Sequence, residues 1–207
     1  MRFLISVCAS LALLAGGAAW AGSYEDALDA ATNGQAAALS QLLARGIDPD
    51  TTDQNGNTLL ILAARDGHAD VVEVLLKYRA STLHRNLMGD SAPMLAALRG
   101  HREVIQKLIA SGRPLESDGW TPLMYAAFEG HAGIAQDLIA AGASLNARAP
   151  NKATPLMLAA RNGHIDVVRA LLAAGADQSL KNDRGQSAAD WALEKGNTDI
   201  ARLLIKG

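Results

Sequence analysis

The sequence predicts an all-α fold, a solenoid of six helix-turn-helix repeats with hairpin fingers. The first observation is a glycine that returns every 33 residues, with one interval of 30. The second is a leucine pair, or a leucine followed by isoleucine, eight and nine positions after each glycine. Six copies in register indicate repeats that each pack against their neighbours. The glycines are Gly34, Gly67, Gly100, Gly130, Gly163 and Gly196.

Each repeat is predicted to contain two short helices. The first begins at a Thr or Ser N-cap, as at Thr121-Pro122 and Thr154-Pro155, where a proline at the first helical position loses no hydrogen bond. An alanine pair then allows close helix packing, and the central glycine ends the helix. The leucine pair buries the second helix, which ends at another glycine. The predicted repeats 1 to 6 cover about residues 24–55, 56–88, 89–118, 119–151, 152–184 and 185–207.

The pattern has exceptions: repeat 1 lacks the Thr-Pro start, repeat 6 has Ala192-Leu193 in place of the alanine pair, and three further places depart from it. Arg79 and Lys152 stand where other repeats have a turn glycine, and a side chain there costs roughly 1 kcal/mol relative to glycine. We therefore expect local strain or a modified turn at Arg79, and the turn at Lys152 is left open. The finger at 113–118, the segment between the second helix of one repeat and the first helix of the next, is three residues shorter than the other fingers. It predicts either a notch beside Trp120 or a neutral deletion of the kind loops tolerate.

The first 21 residues have the pattern of a secretory signal peptide. Arg2 precedes an uncharged apolar run from Phe3 to Ala19, and Ala19-Trp20-Ala21 predicts cleavage after Ala21. An uncleaved membrane anchor is the alternative, but a run of about 17 residues is short for a span that needs roughly 20. A single domain over residues 22–207 is then expected, with no membrane association after cleavage.

The predicted mature chain is weakly acidic. The whole chain has a net charge of −2, and loss of Arg2 makes it −3. This balance, without a basic run, argues against a nucleic-acid partner. The single cysteine, Cys8, falls in the leader, so the mature chain has no disulfide. An alanine-rich leader and the lack of other cysteines favour the bacterial periplasm.

Together, the Thr-Pro-Leu start, the alanine pair, Gly-His and Leu-Leu-x-x-Gly-Ala resemble the ankyrin repeat over about residues 24–207. The usual histidine after Thr-Pro-Leu is replaced, for example by Met124 and Asp190. Resemblance to exported bacterial ankyrin proteins implies a periplasmic protein-binding module with a concave face of finger tips and first helices. Some such proteins are linked to catalases, and others are immunity proteins against a toxic enzyme. The residues do not choose between these roles.

Catalysis is not expected. The sequence has no Gly-x-Ser-x-Gly nucleophile motif and no phosphate-binding loop, and its acidic residues are scattered. An open solenoid surface also lacks the water-excluded site in which preorganised dipoles are most effective.

Two kinds of potential metal ligand recur along the repeats. The resemblance implies that the histidines hydrogen-bond the turns between repeats rather than bind a metal. Thioethers can bind copper or haem iron, so a haem or copper carrier is the alternative function. Core packing is the simpler interpretation of the methionines, and no cofactor is expected. The residues are His68, His101, His131 and His164, and Met94, Met124 and Met157.

The resemblance also implies where a protein partner would bind, namely the finger tips and the two residues after each alanine pair. This set has an apolar centre with arginines around it, and aromatic and Arg residues are enriched at interface hot spots. Packing between repeats is the alternative for Leu98, Trp120 and Phe128, whereas Tyr125 and Trp191 are expected in the core. The predicted binding residues are Arg65, Asp66, Leu87, Met88, Leu98, Arg99, Trp120, Phe128, Glu129, Arg161 and Asn162.

Overall fold

A computed structural model describes residues 23–116 and 118–206, so the predicted signal peptide at 1–21 lies outside the described residues. The described part contains twelve α-helices and no strand, which confirms the all-α solenoid. The helices are α1 (23–32), α2 (Ala36–Ala44), α3 (Leu59–Asp66), α4 (Ala69–Lys77), α5 (Ala92–Arg99), α6 (Arg102–Ala110), α7 (Pro122–Glu129), α8 (Ala132–Ala140), α9 (Pro155–Asn162), α10 (Ile165–Ala173), α11 (Ala188–Glu194) and α12 (Thr198–Lys206).

The helices stack in two layers along the chain. The first helices of successive repeats contact one another from α3 to α11, and the second helices do so from α2 to α10. The alanine and leucine pairs fill the space between the layers. In repeat 2, for example, Ala63, Ala64 and Leu75 are fully buried. The recurring sequence motifs are therefore the core of the fold.

The first helices begin at the predicted caps. Thr58, Thr121 and Thr154 each accept the backbone N–H three residues on, at 3.2 to 3.3 Å. Ser91 occupies the same position but its buried hydroxyl has no partner, and the Met94 sulfur accepts the Ser91 N–H at 3.4 Å. The helix therefore begins at Ser91, as the Thr or Ser N-cap pattern predicts, without a hydrogen bond to the hydroxyl.

Arg79 and Lys152 keep the left-handed backbone that glycine has in other repeats. Their φ angles are 66° and 61°, and no other non-glycine residue of the described part has a positive φ. Of the two alternatives at Arg79, the structure shows the strained residue in an unmodified turn. The Arg113 guanidinium donates to the carbonyls of Arg79 and Ala80 at 3.4 and 3.3 Å.

The repeated histidines connect adjacent repeats. In each case Nε2 lies within hydrogen-bond distance of a carbonyl near the end of the preceding repeat's first helix. Because a carbonyl can only accept, the ring must carry its proton on Nε2. The pairs are His68 with Thr32 at 2.8 Å, His101 with Arg65 at 2.9 Å, His131 with Leu98 at 3.3 Å and His164 with Phe128 at 2.9 Å.

The three repeated methionines belong to the core. Met94, Met124 and Met157 are each at most 1% exposed. Their thioethers fill space between helices, as the packing interpretation predicts. The haem or copper carrier hypothesis therefore has no accessible sulfur in this ladder to support it.

Candidate protein-binding surface

Each finger is numbered after the repeat whose first helix it leads into, so the finger before α5 is the finger of repeat 3. It presents two apolar side chains at its tip. Leu87 is 79% exposed and Met88 is 83% exposed. The backbone of the turn is fixed by Asn86, whose side-chain oxygen accepts hydrogen bonds from the N–H groups of Met88 and Asp90 at 3.0 and 2.9 Å. The Asn86 amide also donates to Asn57 of the preceding finger at 2.8 Å. The backbone of the turn is thus held in place, while the two apolar side chains remain exposed.

The tips of the other full-length fingers are polar or carry proline. Counted back from the N-cap that follows, the equivalents of Leu87 and Met88 are Gln54-Asn55, Pro150-Asn151 and Asp183-Arg184. All of these residues are exposed. An apolar tip is therefore particular to repeat 3 and is not a requirement of the fold.

An aromatic pair lies between the fingers of repeats 3 and 4. The ring centroids of Trp120 and Tyr125 are 5.1 Å apart, and the angle between the ring planes is 40°. The Tyr125 hydroxyl donates to the Asp90 carboxylate at 2.6 Å, and burial together with this bond raises the pKa of Tyr125. Trp120 and Tyr125 are both half-buried against the core. Tyr125 therefore packs against the core, as predicted, and its hydroxyl also bonds helix α7 to the preceding finger.

Arg85 is a connecting residue that the sequence analysis missed. Its guanidinium donates to the carbonyls of Gly89 and Asp118 at 2.7 and 2.8 Å, and lies 3.5 Å from that of Trp120. It therefore joins the finger of repeat 3 to the short finger of repeat 4. No repeat motif marks this position, so the sequence pattern carries no signal for it.

The three missing residues of the short finger fall after Glu116. The Glu116 carboxylate accepts the Ser144 N–H at 3.2 Å. Asp50 and Asn146, at the same distance from the preceding turn glycine in their repeats, accept the N–H groups of Ser81 and Asp177 at 2.7 and 2.9 Å. The first half of the finger is therefore intact and the outer half is reduced.

An open cleft of about 430 Å³ lies beside the first half of this finger, although the notch was expected beside Trp120. Trp120 does not line this cleft, so the cleft is not the predicted notch. The lining includes Ile109, Leu138 and Ala143 at the ends of second helices, together with Pro114 and Leu115. Ser117 lies outside the described residues.

Phe128 extends the aromatic surface along α7. It is 37% exposed and stands three residues after Tyr125, on neighbouring positions of one helix face. Its carbonyl accepts the amide of Asn162 at 2.7 Å as well as the His164 ring. Leu98 is half-buried against the core, whereas Arg99 and Glu129 are exposed. We call Leu87, Met88, Trp120, Tyr125 and Phe128 the apolar finger surface.

Arg65 and Asp66 pair with each other. The Arg65 guanidinium donates to both Asp66 oxygens, at 2.9 and 2.7 Å. This bidentate bond holds the pKa of Asp66 below its ordinary value and raises that of Arg65. Both charges are thus satisfied within repeat 2.

Arg161 contacts repeat 6 instead of the aromatic pair. Its guanidinium carbon lies 5.1 Å from the centroid of the Trp191 ring. Trp191 is 7% exposed, in agreement with its predicted place in the core, and its Nε1 donates to Gln186 at 2.9 Å. Four of the predicted binding residues, Leu87, Met88, Trp120 and Phe128, therefore belong to the apolar finger surface, whereas Arg161 lines a polar cleft at repeats 5 and 6.

Neither a metal cluster nor a membrane span was found in the described residues. No group of three or more His, Cys, Asp or Glu residues there could hold a metal ion. None of the helices described combines the length and the apolar character needed to cross a bilayer.

A family model for ankyrin repeats matches the chain at residues 28–112, 80–149 and 133–207. The chain belongs to the ankyrin-repeat family. Ankyrin repeats are generally non-catalytic modules that bind proteins, so membership indicates a protein-binding function. The helix pairs, the histidine bonds and the fingers described above are the structural form of that match.

This ankyrin protein matches only a small part of each of its curated relatives, between 8% and 20% of their length in the three examples that follow. The chain is 40% identical over 77 residues to potassium channel AKT2/3 of Arabidopsis thaliana, which is 37% of this chain and 10% of the channel. It is 33% identical over 89 residues to glycerophosphocholine phosphodiesterase gde1 of Schizosaccharomyces pombe, 41% of this chain and 8% of that protein. It is 35% identical over 74 residues to human ankyrin repeat domain-containing protein 63, and the match covers 36% of this chain and 20% of that protein.

Proposed function

We propose that this ankyrin-repeat protein is exported and, without catalysing a reaction, binds one protein partner through the apolar finger surface. The observation that carries the proposal is the tip of repeat 3. Leu87 and Met88 are 79% and 83% exposed, at a place where other fingers carry mainly polar residues. A partner that covers these side chains removes their apolar surface from water.

The apolar finger surface has the composition of an interface centre, in which aromatic residues and Met are enriched. A loop whose backbone is already fixed loses less conformational freedom on binding, so more of the burial of its side chains contributes to affinity. The Asn86 bonds hold the tip, and the Tyr125–Asp90 bond holds the aromatic pair. Exposed charges at Arg99 and Glu129 supply the polar rim that usually surrounds such a centre.

The compartment proposed for this binding is the bacterial periplasm, reached after cleavage behind Ala21. The partner would be either a component of an antioxidant system linked to catalase or a toxic enzyme that the protein blocks. Both roles use the same surface, and the identity of the partner distinguishes them. Amino-terminal sequencing of the exported protein tests cleavage, and the proposal expects Gly22 as the first residue.

Site-directed photo-crosslinking tests the binding surface. A photoreactive amino acid replaces Met88 in one variant and Arg169, which is exposed on α10, in the control. The proposal expects one cross-linked protein from position 88 and none from position 169 in the native compartment. Mass spectrometry then identifies the partner. Cross-linking from position 169 alone, or from neither position, would contradict the proposal.

A further inference from the structure

We infer that Arg161 binds one carboxylate group of the protein partner, in the polar cleft between repeats 5 and 6. The inference rests on the proposed protein-binding function and names a chemical feature of the partner. The cleft has a volume of about 180 Å³, and its lining includes Arg161, Trp191, Asn182 and Gln186. A space of this size accommodates a carboxylate and a short part of its stem.

The guanidinium of Arg161 is held over an aromatic ring, and in the part of the chain that the structure describes its N–H donors are free to bind a ligand. It lies over the Trp191 ring at 5.1 Å, where the negative face of the ring attracts the cation. Within the described residues, neither a hydrogen bond nor an ion pair engages it. A guanidinium carries five N–H donors in a planar fork that matches the two oxygens of a carboxylate.

The platform beneath Arg161 is fixed by a connected set of hydrogen bonds. Gln186 accepts from the Trp191 indole at 2.9 Å and from the Asn182 amide at 3.1 Å, and donates to Glu194 at 3.1 Å. These bonds fix the orientation of the indole ring, and the ring in turn restricts the guanidinium. A restricted fork loses less conformational freedom when it binds a carboxylate.

Arg65, at the position of repeat 2 that is equivalent to Arg161, has a guanidinium already bound to a carboxylate of the protein itself. Arg65 and Arg161 are both the first residue after the alanine pair of their repeats. Arg65 is followed by Asp66, which accepts both of its bonds, whereas Arg161 is followed by Asn162. The Asn162 amide donates to the Phe128 carbonyl and leaves the arginine open to an external carboxylate.

The charges around the cleft favour a single carboxylate over an acidic stretch. Asp183 and Glu194 line the cleft beside Arg161 and Arg184, so the formal charges cancel. A run of acidic residues would be repelled by the two cleft carboxylates, whereas one carboxylate can lie against the Arg161 fork. The group is either an isolated Asp or Glu side chain or the carboxyl end of the partner chain.

Titration with short peptides, followed by nuclear magnetic resonance of the purified protein, tests the inference. The probes are acetyl-Gly-Gly-Glu-Gly-amide, with a side-chain carboxylate, and acetyl-tetraglycine with a free carboxyl end. Acetyl-Gly-Gly-Gln-Gly-amide is the neutral control. We expect saturable shifts of the Arg161 Nε–H and Trp191 Nε1–H signals with one or both acidic probes and none with the glutamine peptide. The probe that binds more tightly identifies the source of the carboxylate.

Substitutions of Arg161 distinguish the contribution of the bidentate guanidinium geometry from that of the positive charge. Arg161→Gln should remove saturable binding, and Arg161→Lys should weaken it about tenfold, since lysine keeps the charge but loses the bidentate geometry. Arg169→Gln, at an exposed arginine of α10 that does not line the cleft, is the control and should leave binding unchanged. Equal binding of the glutamine peptide, absence of saturable shifts, or unchanged binding by Arg161→Lys would overturn the inference. If the peptides fail but cross-linking from position 88 persists, the inference is wrong and the proposed function stands.

Discussion

The imidazole of His101 lies against Gly67, the residue that ends the first helix of the preceding repeat. A Cβ atom added to Gly67 would lie 2.7 Å from the ring Nδ1, closer than real side chains approach. Gly67 also has a φ of 83°. The glycine and the histidine of adjacent repeats are therefore one structural unit, in which the missing side chain of one makes room for the ring of the other.

Because Gly67 needs both a positive φ and space for the His101 ring, Gly67→Ala should greatly lower the free energy of unfolding. The left-handed backbone costs about 1 kcal/mol for alanine, and displacing the His101 ring adds about 1 to 3 kcal/mol. Gly142→Ala is the matched control, because Gly142 has a φ of 87° with no atom near an added Cβ. Urea denaturation should show the larger loss in free energy of unfolding for Gly67→Ala. Equal losses would show that the ring has room to move.

The inter-repeat hydrogen bond of His101 predicts a graded response to substitution. His101→Ala leaves the Arg65 carbonyl without its partner and should lower the free energy of unfolding by about 1 to 3 kcal/mol. His101→Asn should cost clearly less, because Asn197 already fills this place in repeat 6 and bonds the Ala160 and Arg161 carbonyls at 3.0 and 2.9 Å. Denaturation of both variants decides the order, and equal losses would speak against the hydrogen bond.

The positive φ angles of Arg79 and Lys152 predict that glycine stabilises the protein at both positions. Arg79→Gly and Lys152→Gly should each raise the free energy of unfolding by about 0.5 to 1 kcal/mol, because glycine adopts this backbone without strain. Arg45→Gly is the control, since Arg45 has an ordinary φ of −83° before the same kind of turn. Thermal melting should show gains for the first two variants and none for the control. No gain at Arg79 would indicate that its side chain compensates for the strain.

A triad of charges on the second helices predicts a dependence of stability on pH. Glu73 lies 2.6 Å from the Lys107 amine and 2.8 Å from that of Lys77, and these bonds lower the pKa of Glu73 from 4.5 to about 2. Because the folded-state pKa is depressed, the contribution is present above pH 4.5 and is lost as the pH falls towards 2.

The variant Glu73→Gln tests this dependence. The difference in free energy of unfolding between the wild type and Glu73→Gln should be largest near neutral pH and disappear towards pH 2. Salt should also reduce it, because the group is exposed. A difference that stays constant from pH 7 to pH 2 would mean that the carboxylate charge is not responsible.

Much of the fold could be predicted from sequence because its determinants are local and repeated. Thr121, Ala126 and Gly130 each have a physical role that recurs in other repeats, so their spacing alone predicts the helices and turns. The expected strain at Arg79 follows from the same register. Six copies provide an internal comparison that a single helix pair does not.

The details of the candidate site were less predictable, because they depend on contacts between repeats that have no fixed spacing. Arg85 joins two fingers through carbonyl groups, which no side-chain motif records. Tyr125 packs against the core as the pattern predicts, but the bond of its hydroxyl to Asp90 of the neighbouring finger has no signal in the repeat spacing. Arg161 stacks on Trp191, a contact that only packing of repeats 5 and 6 reveals.

The affinity of the cross-linked partner for the variant Leu87→Asp tests the central claim most directly. Gln54→Asp is the control, because it places the same charge at the same position of the neighbouring finger. Titration calorimetry with purified partner should show affinity about 30-fold or more weaker for Leu87→Asp, as expected for a hot-spot residue. Gln54→Asp should bind like the wild type, and both variants should melt like the wild type. Wild-type affinity of Leu87→Asp would contradict the assignment of this surface.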